Sequence, residues 1–388
     1  MASLAIERGH DINPNGGYAT VTGTMRAICC DVGQNVPSMQ ILEIPEIGHQ
    51  DVLIRVKSVG LAPGVFKMLK QGLIKPLPFI FGHEVAGLVE AVGKLAYGFR
   101  VGQRVRVNSI LGCGQCKFCS TDRNQMCQSG GVIGFNQFGP QKTTLYDEYH
   151  NGGLADYIKV PFWQVQELPD NVSFDVGAKV HDLANAFRAL KVSSLPAGAT
   201  VVITGATGTM GTATIKLAHF FGISRLILVG RSEKRLDAVR KLAALSIRVD
   251  TVPLETLGND WPANKLLSVR LLELVPQKVD AIIDYWPFGT DIWQTMAVLC
   301  VNGTLVHMSG NPAQLPRHML DITLNCWRII GTRGNTPSDQ KAVLELLGKG
   351  LLTVDDLITH RWPLDQAMEA IQNLQDRSMP IWMMVVNP

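Results

Sequence analysis

From Met25 to about residue 180, short apolar runs are cut by Gly and Pro: MRAICCDV, VLIRVKSVGL, VAGLVEAVG and RVRVNSIL. Runs of strand length ended by turn residues predict an all-β segment. Beyond 180 the pattern changes. HDLANAFRALKV and TATIKLAHFFG carry helical spacing, whereas VVITG, RLILVG, DAIIDYW and GTLVHMSG read as short buried strands. Strands alternating with helices predict a parallel sheet with right-handed crossovers, an α/β fold. KAVLELLGKGLLTVDD, LDQAMEAIQNLQD and IWMMVV then return to mixed helix and strand, while residues 1–24, polar and Gly-rich, read as a loose arm. The chain shows neither an internal repeat nor a low-complexity segment.

Composition narrows the classes. With 388 residues, two domains are expected. Hydrophobic residues make up 46% and charged residues 18%, the balance of a soluble globular protein. The formal charge of +3, without a basic block, gives no reason to expect a nucleic-acid partner. No apolar run approaches the roughly 18 residues of a membrane-spanning helix. Glu7, Arg8 and Asp11 interrupt the start, so no signal peptide is expected, and a cytoplasmic location without a membrane partner is the default. Four of the eight cysteines fall within fifteen residues, which in a cytosolic chain favours metal over disulfides.

Those four are Cys113, Cys116, Cys119 and Cys127, spaced C-x2-C-x2-C-x7-C in GCGQCKFCSTDRNQMC. Four thiolates in a short polar loop suit a closed tetrahedral zinc with no open position, hence a structural role. An iron–sulfur cluster or disulfides are the alternatives.

VVITGATGTMGTATIKLAHFFG places a buried strand before Gly205, Gly208 and Gly211 and a helix after them. Glycine permits the tight turn and lets backbone N–H groups approach a pyrophosphate, with the positive helix end behind them. Thr207, Thr209 and Met210 complete this turn, and Ser309 closes the later strand NGTLVHMSG. The next strand ends at Gly230, followed by Arg231, Ser232 and Lys234, without the carboxylate that receives the ribose hydroxyls in NAD sites. A guanidinium there can hold a 2′-phosphate in bidentate fashion, so NADP(H) is the expected cofactor. A solvated helix start is the alternative for Arg231 and Lys234.

Taken together, FGHEVAGLVEAVG, FRVGQRVRV, the four-cysteine lobe, GGLADYIKVP, the glycine turn and NGTLVHMSG resemble, in content and order, the zinc-containing alcohol dehydrogenase branch of the medium-chain dehydrogenase/reductase superfamily. The turn GATGTMG itself looks more like that of the quinone reductases. The resemblance implies a GroES-like β domain (25–180 and 332–388) split around a Rossmann domain (181–331), with the active site between them. It also implies a small-molecule substrate and a homo-oligomer, dimer or tetramer.

Zinc-dependent relatives hold a catalytic metal with a Cys, the His of GHE, and a later Cys or Asp. Matching Gly60 and Leu61 to that pattern puts Ala62 where the Cys belongs, Gly64 at the relay hydroxyl and Lys67 at a relay histidine. Matching NAFRAL puts His181, or with a one-residue shift Asp182, at the third ligand. His83 and Glu84 are either remnants bonded in the cleft or functional groups, and His83, Glu84, His181 and Asp182 are the catalytic candidates. Tyr285 and Trp286 are candidates to line the cleft, although aromatic residues there more often pack. Lys67 is a candidate to hydrogen-bond the nicotinamide ribose or a substrate oxygen, although a lysine there more often faces solvent.

A chain that keeps the structural zinc and loses the catalytic one lacks the Lewis acid needed for plain alcohol oxidation. Hydride delivery to an activated substrate remains, which makes an NADPH-dependent ene reductase of an enone, enal or iminium the expected activity, in specialised metabolism by analogy. The alternatives are an alcohol dehydrogenase with an atypical His/His/carboxylate zinc site, and a non-redox isomerase, cyclase or binding protein on the same fold.

Overall fold

The computed structural model describes residues 21–34, 36–74, 79–140, 142–377 and 379–388. The expected arm therefore lies outside the described residues up to position 20, and Thr24 already begins a strand. The chain forms two compact units. The first takes residues up to Val180, Ile358–Met379 and Met383–Pro388; the second takes His181–Leu357 and Pro380–Trp382.

The first unit is built around a seven-stranded sheet. Its strands run in the order Val165–Glu167, Arg104–Val107, Glu84–Val92, Asp51–Gly60, Met383–Asn387, Ile358–Pro363, with Tyr157–Pro161 also pairing with Asp51–Gly60. Most residues of Asp51–Gly60 and Glu84–Val92 are buried on both faces, the polar Asp51, Ser58 and Glu84 among them. Thr24–Cys30 joins Ser38–Glu43 and Phe79–Ile80 in a smaller sheet, and Ile110–Leu111, Gly131–Val132 and Asn136–Gln137 form a third. The all-β expectation for this region is incomplete. Pro63–Lys70 is a helix, entered from extended Ala62 with proline in its first turn and Lys67 and Lys70 in its last. Fixed proline φ at the start and cations at the negative end favour that helix over a strand.

The second unit holds a parallel sheet of six strands. Numbered by their order within the unit, they lie 3-2-1-4-5-6: Arg248–Pro253, Ile223–Gly230, Ala199–Thr204, Val279–Asp284, Leu299–His307, Arg328–Gly331. This is the doubly wound Rossmann order, with its switch point between the first and fourth strands. Val202, Ile227, Ile282 and Leu305 share a core with Trp286, Trp293 and Met296.

Sequence reasoning returned the chain to the β domain at 332, whereas the structure keeps residues 332–357 with the second unit. Polar pairs explain the difference. Asn335 Nδ2 donates to His181 O (3.2 Å) and to Asn185 Oδ1 (2.8 Å), and buried Asp339 binds Lys191 at 3.0 Å. Thr336 and Asp339 also cap the helix Pro337–Gly348 reciprocally. Among the described residues no helix is long and apolar enough to cross a membrane.

Candidate active site

The four cysteines sit in a lobe between the strands Ile110–Leu111 and Gly131–Val132, and all are free thiols. Two short turns, Cys119–Thr121 and Asn124–Met126, fold the loop back, and Asp122 adopts a left-handed conformation (φ 56°) to link them. The four Sγ atoms lie within 4.8 Å of one another. Four sulfurs about 2.3 Å from a tetrahedral zinc are separated by about 3.8 Å, so small inward movements would complete such a shell. Backbone N–H groups already point at sulfur: Cys113 N to Cys127 Sγ at 3.4 Å, Cys119 N to Cys116 Sγ at 3.5 Å. The N–H groups of Cys119, above all, and of Phe118 bring the Cys116 thiol down to about 6, whereas burial pushes the Cys119 and Cys127 thiols up. The donor set fits one structural zinc.

In the second unit, strand Ala199–Thr204 runs into Gly205, whose φ of 62° is left-handed, and then into helix Thr209–Leu217. A Cβ on Gly211 would lie 2.5 Å from Ala206 Cα, so glycine is required for the helix to pack this close to the turn. Gly208 is the N-cap and brings no side-chain cap, which leaves the first N–H groups of the helix for a ligand. Thr207 and Met210 are half-buried; Thr209 donates to Trp382 O at 2.5 Å and Ser309 to Trp286 O at 2.6 Å. Gly230 ends the second strand, and a Cβ there would meet Leu236 at 3.1 Å. Arg231 and Lys234 are exposed, and Ser232 is the N-cap of helix Glu233–Arg240. Sequence reasoning missed Glu255, which accepts the Glu233 N–H at 2.6 Å and puts a carboxylate at this helix start. The turn fits the pyrophosphate of a dinucleotide.

A buried polar network also lies at the carboxyl ends of these strands. Asp284, fully buried, accepts from Thr204 Oγ1 and from Trp286 N (3.3 Å), and its other oxygen contacts His307 Nδ1 at 2.6 Å. Tyr285 and Trp286 pack inside, as aromatic residues usually do, and Tyr285 OH bonds Thr214 Oγ1 at 2.8 Å. Asp284 and His307 carried no distinctive motif.

Back in the first unit, His83 and Glu84 stand at the start of strand Glu84–Val92. Glu84 has no exposure, and its carboxylate is held by the ammonium of Lys179, which is equally buried. Its second oxygen lies 3.5 Å from His83 Nε2, and the His83 ring stacks on Phe135 (centroids 5.5 Å apart, 23° between planes). Arg106, fully buried, donates to Gly177 O (3.3 Å) and to Gln166. Burial brings its guanidinium down to about 9, against the opposing charge of Glu84. Ala62 is half-buried and Lys67 exposed. His181 and Asp182, both buried, belong to the second unit. Among the described residues, the cysteines are the one group of three or more potential ligands close enough to share an ion. The donor set at His83 does not fit the catalytic zinc of the resembled family: Ala62 offers no ligand and Glu84 is already paired with a cation. Lys179 was missed because a lysine in a helical stretch ordinarily reads as a solvated side chain.

Comparison with known proteins extends this picture. Residues 48–170 match the alcohol dehydrogenase GroES-like domain family. The L-threonine 3-dehydrogenase of Pseudoalteromonas atlantica is 29% identical over 339 residues, covering 86% of this chain and 91% of that protein. The sorbitol dehydrogenase of Bombyx mori is 26% identical over 345 residues, covering 87% and 92%. Among solved structures, a protein of Sinorhizobium meliloti 1021 described as a zinc-binding dehydrogenase and bound to NADP superposes with a TM-score of 0.78 at 24% identity, covering 94% of this chain and 100% of that one. A cobalt- and zinc-bound alcohol dehydrogenase of Pyrobaculum aerophilum gives 0.76 at 24% identity, with the same coverage.

Proposed function

We propose that this chain, an oxidoreductase of the medium-chain dehydrogenase/reductase superfamily on its zinc-containing alcohol dehydrogenase-like branch, is an NADPH-dependent reductase of an activated small molecule. The substrate class is a conjugated C=C of an enone or enal, or an iminium. The observation that carries this reading is the donor set at the GHE segment, where Ala62 brings no ligand and Lys179 holds Glu84. Without a Lewis acid, an unactivated alcohol or ketone exchanges hydride slowly, whereas an electron-poor carbon accepts hydride and passes charge to a remote atom.

Bound NADPH would supply the hydride. The chain's own groups do the rest. Backbone N–H groups of the Gly205–Gly211 turn and the helix behind them hold the pyrophosphate. Arg231 and Lys234 would bind the 2′-phosphate, against the nearby carboxylate of Glu255. His83, His181 or Asp182 hands a proton to the substrate atom where charge collects. The four cysteines would hold a structural zinc.

The test is direct. Purified protein is mixed with NADPH and an alkenal, and separately with NADP+ and threonine or sorbitol. Loss of NADPH absorbance with the alkenal, and formation of the saturated product, is expected. Reduction of NADP+ by the alcohols instead would return the protein to the chemistry named for its relatives. NADPH bound but never oxidised would point to a non-redox use of the fold.

A further inference from the structure

We propose that the Lys179 ammonium is the resident cation at the buried Glu84 of the GHE segment: it takes there the electrostatic place of a divalent metal and closes the His83 site to one. The inference rests on the zinc-free reading above and names the group responsible.

A carboxylate with no exposure persists as an ion only when charge and hydrogen bonds replace its water. Glu84 receives Lys179 on one oxygen and has His83 Nε2 at 3.5 Å from the other. The backbone makes room for this arrangement. Gly60 lies opposite Glu84 in the sheet, and a Cβ there would fall 1.8 Å from Glu84 Oε2. The first metal ligand of the resembled family matches Ala62, two residues beyond Gly60. Lys179 comes from helix Phe174–Ser193, two residues before the position matched to the third ligand. Lys179 and the position matched to the third ligand thus lie on one helix. Arg106, fully buried and acting electrostatically on Glu84, adds a second positive group. A divalent ion added beside Glu84 would meet the Lys179 ammonium and a carboxylate already engaged. An ion pair that merely fastened helix to sheet would explain the burial equally well, and metal binding separates the two roles.

The experiment counts zinc per full-length chain by plasma mass spectrometry after equilibration with excess zinc and desalting, with circular dichroism as the check on folding. Wild type and A62C are expected to hold one zinc, lost with Cys116→Ser. A62C/K179M is expected to hold two, the second lost when His83→Ala is added. A62C/K179R, which keeps the charge, is expected to stay at one. Two zincs in A62C with Lys179 intact would overturn the proposal, as would a folded A62C/K179M that stays at one. Should A62C/K179M fail to fold, A62C decides alone: two zincs overturn the proposal, one sustains it. Two zincs in wild type would sink the zinc-free reading itself, whereas one zinc with no alkenal reduction would sink only the proposed activity.

Discussion

A lysine and a glutamate without exposure, joined inside one unit, make the residue-scale consequences sharp. Removing one partner of a buried pair leaves an uncompensated charge, at a cost of about 3–5 kcal/mol. K179M and E84Q should each lower the stability of the first unit by that order, and K179M/E84Q should recover most of the loss. Denaturant unfolding of the four proteins measures this cycle; additive losses in the double variant would show that the two side chains do not depend on each other. Gly60→Ala should match the single variants, because its Cβ would overlap Glu84 Oε2. At this scale the sequence was half legible. GHE and the absent ligand at Ala62 could be read from the residues, but no spacing rule announces that Lys179 folds inward, since burial of a long cationic side chain depends on a partner 95 positions away. Asp284 and His307 escaped for the same reason: their pairing is created by the register of two parallel strands.

Elements whose pattern is local were read well, and those decided by packing were not. The glycine turn announces itself through strand, glycines and helix, and the structure places it at the end of the first parallel strand, with Gly205 left-handed. The helix Pro63–Lys70 was hidden because its eight residues lie within a run of strands. The cofactor preference belongs at this scale too, since it depends on how the second strand ends. Arg231→Glu should weaken NADPH binding at least tenfold, about 1.4 kcal/mol, while leaving NADH binding within a few-fold. Fluorescence titration with both nucleotides checks it. Equal weakening of both would assign Arg231 to general electrostatics, and no change would hand the end of the strand to Glu255 and a ribose hydroxyl.

The division of the chain into two units gives each its own candidate ligand site: the cysteine lobe lies in the first and the glycine turn in the second. The outer boundary was misplaced from sequence because Asn335 and Asp339 tie residues 332–357 to the helix that opens the second unit, and buried polar pairs of that kind carry no periodicity. A ligand stabilises whichever unit binds it, by about 2.7 kcal/mol at a hundredfold excess over Kd. Chains of two units need not unfold in one step, so the two ligands should act on different transitions. In scanning calorimetry, NADPH should raise the midpoint of the transition that contains the second unit, with NADH raising it less. Cys116→Ser, or zinc stripping, should lower the midpoint of the other and leave the NADPH-dependent shift in place. A single transition moved by either ligand would mean that the units unfold as one, and the zinc lobe would then support nucleotide binding through global stability rather than through the fold of its own unit alone.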